Sequence, residues 1–134
     1  IECVEVTREI ADIESYVLSK GAQLSGWEGE RAYSFPLSAV LYFEAVDEKC
    51  FAYTQKRVFE VKARLYALEE AYREKFLVRC SKSVLLNLMQ LDSISPALNG
   101  RFTAYMKNGE KLIISRQYAN TLKKAVLEGA AHEI

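Results

Sequence analysis

The chain has 134 residues, a length typical of one domain with its own hydrophobic core. Half of the residues are hydrophobic, which argues against disorder, and the formal net charge is zero, which by itself does not indicate a polyanionic partner. No apolar stretch approaches the roughly 20 residues that cross a bilayer, so the sequence favours a soluble, cytoplasmic protein over a membrane-spanning one.

The cysteine and histidine content argues against metal and nucleophilic chemistry. The three cysteines, Cys3, Cys50 and Cys80, have no C-x-x-C spacing and are odd in number, which is typical of a reducing compartment. The only histidine, His132, lies near the C-terminal end, so a zinc site lacks ligands and a Ser or Cys nucleophile lacks a base. We therefore expect no metal, no cofactor and no enzymatic activity.

The first 30 residues predict an N-terminal extension. Residues 1–6 alternate imperfectly and predict a strand, Thr7 can cap a helix, and Gly21 can end it. Gly26 and Gly29 flank Trp27 and Glu28 in a pattern that favours a hairpin. This strand-helix-hairpin segment, residues 1–30, is expected to pack on a domain formed by residues 31–134.

The rest of the chain predicts many short strands and two helices. An apolar stripe predicts a helix at about 63–75, and a second stripe predicts a final helix from Arg116 or Gln117 to Leu127. Asn108-Gly109 between two alternating runs is a strong hairpin signal. We therefore expect an α+β, mostly β fold. The predicted strands lie at 32–35, 39–43, 50–54 and 58–61, with further apolar runs at 76–80, 84–94, 101–106 and 111–115.

Charge is distributed unevenly along the chain. Residues 76–134 contain eight basic and four acidic residues, a balance of +4, whereas residues 1–30 contain two basic and seven acidic residues, a balance of −5. The C-terminal half is therefore where a polyanion would bind, although an asymmetry of this size is common in proteins.

Several motifs resemble the LytTR family of bacterial transcriptional regulators, over residues 31–127. The resemblance implies antiparallel β-sheets with short helices, whose loops read DNA in successive major grooves. The N-terminal pattern is similar to that of a LytTR subgroup without a receiver domain. The matching segments, in the order and spacing of the family, are VLYFEAVDEK, VFEVKARLYALEE, FLVRCSKSVLLNL, YMKNGEKLIISRQY and LKKAV.

The resemblance also implies which residues face DNA. Arg116 suits the O6 and N7 acceptors of guanine, and Lys82 supplies a point donor to a base edge. Small polar and basic side chains elsewhere suit phosphate oxygens, which fix register without reading sequence. Many relatives have histidine at the position of Ser81 and arginine at that of Lys82, so we expect weaker base selectivity there. The candidate DNA-binding residues are Lys49, Ser81, Lys82, Ser83, Arg101, Lys107, Ser115, Arg116 and Gln117.

The leading hypothesis is a sequence-specific DNA-binding regulator that binds repeated promoter sites in double-stranded DNA as a homodimer, with a regulatory or membrane protein as a further partner. The alternative is a protein-interaction or anti-activator module that keeps the fold without binding DNA. Zero net charge and the changes at Ser81 and Lys82 favour this alternative. A steep loss of DNA affinity with salt would distinguish the two hypotheses.

Overall fold

The computed structural model of the chain describes residues 23–72 and 77–133, with side chains up to Leu127. The strand predicted at 1–6 and the helix predicted after Thr7 lie outside the described residues. The ten described strands are β1 Gln23–Glu28, β2 Arg31–Pro36, β3 Val40–Val46, β4 Lys49–Thr54, β5 Val58–Val61, β6 Leu77–Ser81, β7 Val84–Asn87, β8 Leu91–Pro96, β9 Phe102–Met106 and β10 Lys111–Ile114. The two described α-helices are α1 Leu65–Tyr72 and α2 Arg116–Glu133, and short 3-10 turns lie at Leu37–Ala39, Leu88–Gln90 and Leu98–Gly100.

The strands form two antiparallel sheets, which confirms the predicted mostly β fold. One sheet has seven strands in the order β2-β1-β5-β4-β3-β7-β6, and the other has three in the order β10-β9-β8. The hairpin predicted at Asn108-Gly109 is confirmed, because β9 pairs antiparallel with β10. Strand β1 pairs with both β2 and β5, so Gln23–Glu28 already belongs to the large sheet. The predicted boundary at residue 30 falls within the β1–β2 turn, and the division into two domains stays a prediction.

The large sheet is covered on both faces near β3, β6 and β7. Helix α1 packs on one face, where Leu65 and Leu68 join a core that contains Phe43 and Leu85. The small sheet and α2 pack on the other face, where Ile114 and Leu122 are fully buried. Because both faces are covered, β3 reads VLYFEAV, with four consecutive buried residues instead of an alternating pattern.

Two details differ from the sequence-based predictions. Gly26 lies inside β1, where a β-carbon would meet the Phe59 Cβ at 2.6 Å, and the hairpin turn is at Gly29, whose φ is +64°. Gly26 is therefore required by close packing and not by a turn. The apolar run at 84–94 is also not continuous strand, since the turn Leu88–Gln90 carries the chain from the large sheet into the small one.

Candidate nucleic-acid interface

Several chain segments meet along one edge of the two-sheet core. The β3–β4 turn is joined to the β6–β7 turn by a hydrogen bond from the Ala45 N–H to the Ser83 carbonyl oxygen, 2.8 Å long. The β6 strand is in turn joined to the start of α2, because the Ser115 N–H donates to the Cys80 carbonyl oxygen at 2.9 Å. We call this edge the basic rim, and it comprises residues 46–49, 64, 81–83, 98–101 and 115–117.

The β6–β7 turn presents Lys82 at its tip. The pairing register shifts between Arg79 and Ser81, so that β6 contains a bulge there. A bulge bends its strand and redirects the side chains that follow it. Lys82 is exposed, whereas Ser81 and Ser83 are half-buried, and the Ser81 hydroxyl accepts a hydrogen bond from the Ser83 N–H at 3.3 Å. The two serines therefore shape the turn, and Lys82 is its free donor.

The start of α2 presents Arg116 beside the turn Leu98–Gly100. The Arg116 side chain lies over Gly100, where a β-carbon would meet its Cγ and Cδ at 3.0 Å. Gly100 also has a φ of +77°, a conformation that favours glycine. Arg101 follows directly and is exposed, as are Arg116 and Gln117. This packing sets the direction of Arg116, and Arg101 directly follows the glycine that Arg116 covers.

The β3–β4 turn contributes Lys49 and a shallow cleft. Asp47 and Glu48 form the turn with φ values of 50° and 66°, and Lys49 begins β4 as an exposed residue. Lys49 and Lys82 line the same cleft of about 240 Å³. Cations from two different hairpins therefore face one concave surface, although the exposed carboxylates of Asp47 and Glu48 reduce the positive potential there.

The cleft also contains residues that the sequence-based reasoning missed. Arg64 and Tyr66, at the start of α1, line it together with Arg79. Arg64 is exposed and adds a cation to the rim, whereas Arg79 forms a salt bridge with Glu69. No local sequence signal marks Arg64, because its proximity to Lys82 depends on how α1 packs on the sheet.

Lys107 lies at the opposite end of the sheets from the other eight candidates. Its N–H donates to the Gln90 carbonyl oxygen, and its side chain lines a separate cleft with Thr54 and Lys56, at the far end of β4 from Lys49. Arg101 and Lys107 flank the two ends of β9, which places them about 20 Å apart along the strand. The structure thus brings together Lys49, Ser81, Lys82, Ser83, Arg101, Ser115, Arg116 and Gln117, and it separates Lys107 from them.

Asn87, Cys80 and Cys50 are buried groups that serve the fold. Asn87 is fully buried, and its amide group makes three hydrogen bonds with backbone groups, as expected for a structural residue. Burial raises the pKa of the Cys80 thiol to about 12 and that of the Cys50 thiol to about 11. These two thiols lie in different core clusters, on opposite faces of the large sheet. A disulfide between them is therefore not compatible with this fold.

Residues 23–72 and 77–133 contain neither a candidate metal site nor a helix that could span a membrane. Nowhere in these ranges do three or more His, Cys, Asp or Glu side chains come close enough to hold a metal ion. Neither α1 nor α2 meets the length and hydropathy of a membrane-spanning helix.

Comparisons with known proteins identify a family of DNA-binding domains. The family described as the LytTr DNA-binding domain matches residues 30–127. An HTH-type transcriptional regulator of Staphylococcus aureus strain NCTC 8325 / PS 47, described as uncharacterized, is 28% identical over 107 residues, or 80% of this chain and 72% of the relative. A similar protein of strain MRSA252 is 27% identical with the same coverage.

The structural comparison supports the same relationship. The solved LytTr DNA-binding domain of a Bacillus cereus protein is 25% identical and has a TM-score of 0.73, covering 78% of this chain and 96% of that domain. The label HTH-type belongs to the Staphylococcus relatives. In the part of this chain that the structure describes, α1 and α2 are separated by five strands and do not form a helix-turn-helix unit.

Proposed function

The chain belongs to the LytTr DNA-binding domain family, and from this premise we propose that it is a sequence-specific transcriptional regulator whose basic rim contacts the DNA. In this proposal the turns and the start of α2 enter the major groove, and no recognition helix is used. The single observation that carries the proposal is the convergence of cations from separate chain segments on one edge. These cations are Lys49, Arg64, Lys82, Arg101 and Arg116.

The residue types on the rim divide between base reading and phosphate binding. Arg116 is directed by its packing on Gly100, so its planar guanidinium is prepared to donate two hydrogen bonds to one guanine. Lys82 has a single donor group at the tip of its turn and offers less discrimination. Lys49, Arg64 and Arg101 are exposed and suit phosphate oxygens, with support from Ser83, Ser115 and Gln117.

We extend the proposal to two copies on repeated promoter sites. A good bidentate contact discriminates against a wrong base pair by about 1–3 kcal/mol, and the rim of one copy offers only a few such donors. Two copies on adjacent repeats double the number of bases that are read and add the benefit of bivalent binding. We also propose a regulatory or membrane protein as a partner, but no surface of this chain is assigned to that partner.

The first test is selection of bound duplexes from a random pool, followed by affinity measurements over a range of salt concentrations. We expect one recurring sequence motif, repeated in the best binders. We also expect log Kd to rise with log salt, with a slope of about 0.9 for each phosphate contact. Sedimentation of complexes with one and with two copies of the motif then gives the number of bound chains.

The same experiment tests the alternative function. A protein-interaction module that has lost DNA binding would enrich no motif and would show weak binding at low salt only. That result would contradict the proposal, and the rim would then be a candidate surface for an acidic protein partner.

A further inference from the structure

Arg79 connects helix α1 to the backbone of the β6–β7 turn. Its Nη1 donates to the Lys82 carbonyl oxygen at 2.7 Å. Its Nε and Nη2 donate to the Glu69 carboxylate at 3.2 and 2.7 Å. The Arg79 and Glu69 side chains are only 16% and 32% exposed, so this contact is better shielded from water than an ordinary surface ion pair.

The turn that Arg79 contacts has little intrinsic preference for its shape. Lys82 and Ser83 join β6 to β7, and two-residue hairpin turns favour Asn-Gly or Gly-X sequences with a positive φ. In the described part of the chain, the positive φ angles lie at other residues, including Asp47 and Glu48 in the neighbouring hairpin. The Arg79 hydrogen bond therefore contributes order that the turn sequence does not supply.

The negative charge of Glu69 disfavours DNA binding, whereas the cations around it favour DNA binding. Its carboxylate lies in the helix that borders the rim cleft, and a negative charge there repels phosphate. Its two short contacts instead hold the guanidinium of Arg79 in place. The position of the Glu69 carboxylate beside a proposed DNA surface is thus explained if this carboxylate fixes the direction of the Arg79 side chain.

We propose that Glu69 and Arg79 form a strut that sets the position of Lys82, so that α1 determines sequence discrimination by the β6–β7 turn. Arg79 is then a positioning residue, and Lys82 makes the DNA contact. This inference rests on the proposed function and deepens it. It adds two residues that the motif comparison does not assign, and it gives α1 a role in binding although α1 lies behind the turn.

The test is Glu69→Gln in the full chain, measured on a selected duplex and on a random duplex at one salt concentration. We expect the affinity for the selected duplex to fall about tenfold, because Lys82 loses its fixed position. The affinity for the random duplex should stay constant or increase, since a negative charge is removed. The ratio of the two affinities is the readout, and loss of fold alone would lower both.

Glu110→Gln is the matched control. Glu110 also accepts a 2.7 Å hydrogen bond from a residue of another element, the Tyr42 hydroxyl of β3, but it belongs to the β9–β10 turn at the opposite end of the sheets. It therefore repeats the same chemical change at a carboxylate that accepts a short hydrogen bond, without touching the strut. The affinity ratio of Glu110→Gln should equal that of the wild type.

Two further variants make the result decisive. Arg79→Lys keeps the charge, but one amine cannot reproduce both sets of contacts, so its affinity ratio should fall as in Glu69→Gln. In a Lys82→Ala background, Glu69→Gln should produce no further change in the ratio, since both act through one contact.

Equal changes on the two duplexes, or full additivity with Lys82→Ala, would overturn the strut. Failure of the wild type to select any duplex would overturn the proposed function, and it is seen before any variant is measured.

Discussion

Arg116 and Lys107 are both exposed cations near the small sheet, but they lie at opposite ends of it. Arg116 begins α2 directly after Ser115, whose N–H is bonded to β6, whereas Lys107 follows β9 at the far end. A reading of the sequence assigns both to DNA, because a strand of five residues gives no indication of which end faces the ligand. The structure makes Lys107 a natural control for Arg116.

We predict that Arg116→Ala weakens binding to the selected duplex by about 1–3 kcal/mol and abolishes the preference at one base pair. The physical reason is the loss of two hydrogen bonds that only a guanine edge can accept. Fluorescence anisotropy with a set of single-base variants of the duplex measures both effects. Lys107→Ala removes the same formal charge and should leave affinity and preference unchanged. Equal losses on selected and random duplexes for Arg116→Ala would contradict its assignment to base reading.

At the scale of elements, Asn87 holds the strand-to-turn junctions that separate the two sheets. Its side-chain NH₂ donates to the carbonyl oxygens of Leu37 and Val40 at 3.1 and 2.7 Å, and its carbonyl oxygen accepts from the Met89 N–H at 3.0 Å. These contacts cap the 3-10 turn Leu88–Gln90 and attach it to the start of β3. Because the amide is fully buried, no water can replace it.

Replacement of Asn87 by leucine should therefore destabilise the fold by about 3 kcal/mol. The Leu37 carbonyl oxygen keeps its bond from the Val40 N–H, but the Val40 carbonyl oxygen and the Met89 N–H lose their bonds to Asn87. Each buried unsatisfied group costs about 1–3 kcal/mol. Urea denaturation followed by circular dichroism measures the change. Asn120→Leu, an exposed change on α2, should shift the midpoint little. A midpoint for Asn87→Leu within error of the wild type would show that the junctions are held by other contacts.

At the scale of the whole molecule, the large sheet divides the core into two clusters, and each cluster contains one cysteine. Cys50 is 3% exposed in the cluster under α1, and Cys80 is 1% exposed in the cluster under α2. Burial raises both thiol pKa values, because the thiolate is poorly solvated there. The thiolate is the reactive form, so both cysteines are protected by the fold.

We predict that iodoacetamide at pH 8 labels neither Cys50 nor Cys80 in the native protein and labels both in guanidinium chloride, as read by peptide mass spectrometry. Above pH 9 the unfolded thiols lose protons that the folded ones keep, up to pH of about 11 for Cys50 and 12 for Cys80. The folded state then binds more protons, so this contribution to stability is present below pH 9 and is lost as pH rises through those values. Rapid labelling of native Cys80 would contradict this burial.

The sequence by itself determined the alternating strands, the Asn108-Gly109 hairpin and the apolar face of α2, which contains Tyr118, Leu122, Ala125 and Val126. These features are local, because hydrophobic periodicity and turn chemistry act over a few residues. The motifs also predicted the family. The family resemblance in turn predicted that the turn at Lys82 and the start of α2 face DNA.

Only the tertiary structure decided which of the candidate residues share a surface. Arg64 joins Lys82 because α1 packs on the sheet, and Lys107 is excluded because β9 runs away from the rim. Glu69 and Arg79 are ten positions apart, and their contact depends on the packing of α1 against β6. Contacts of this kind arise from the burial of several elements together, and no pattern within one element encodes them.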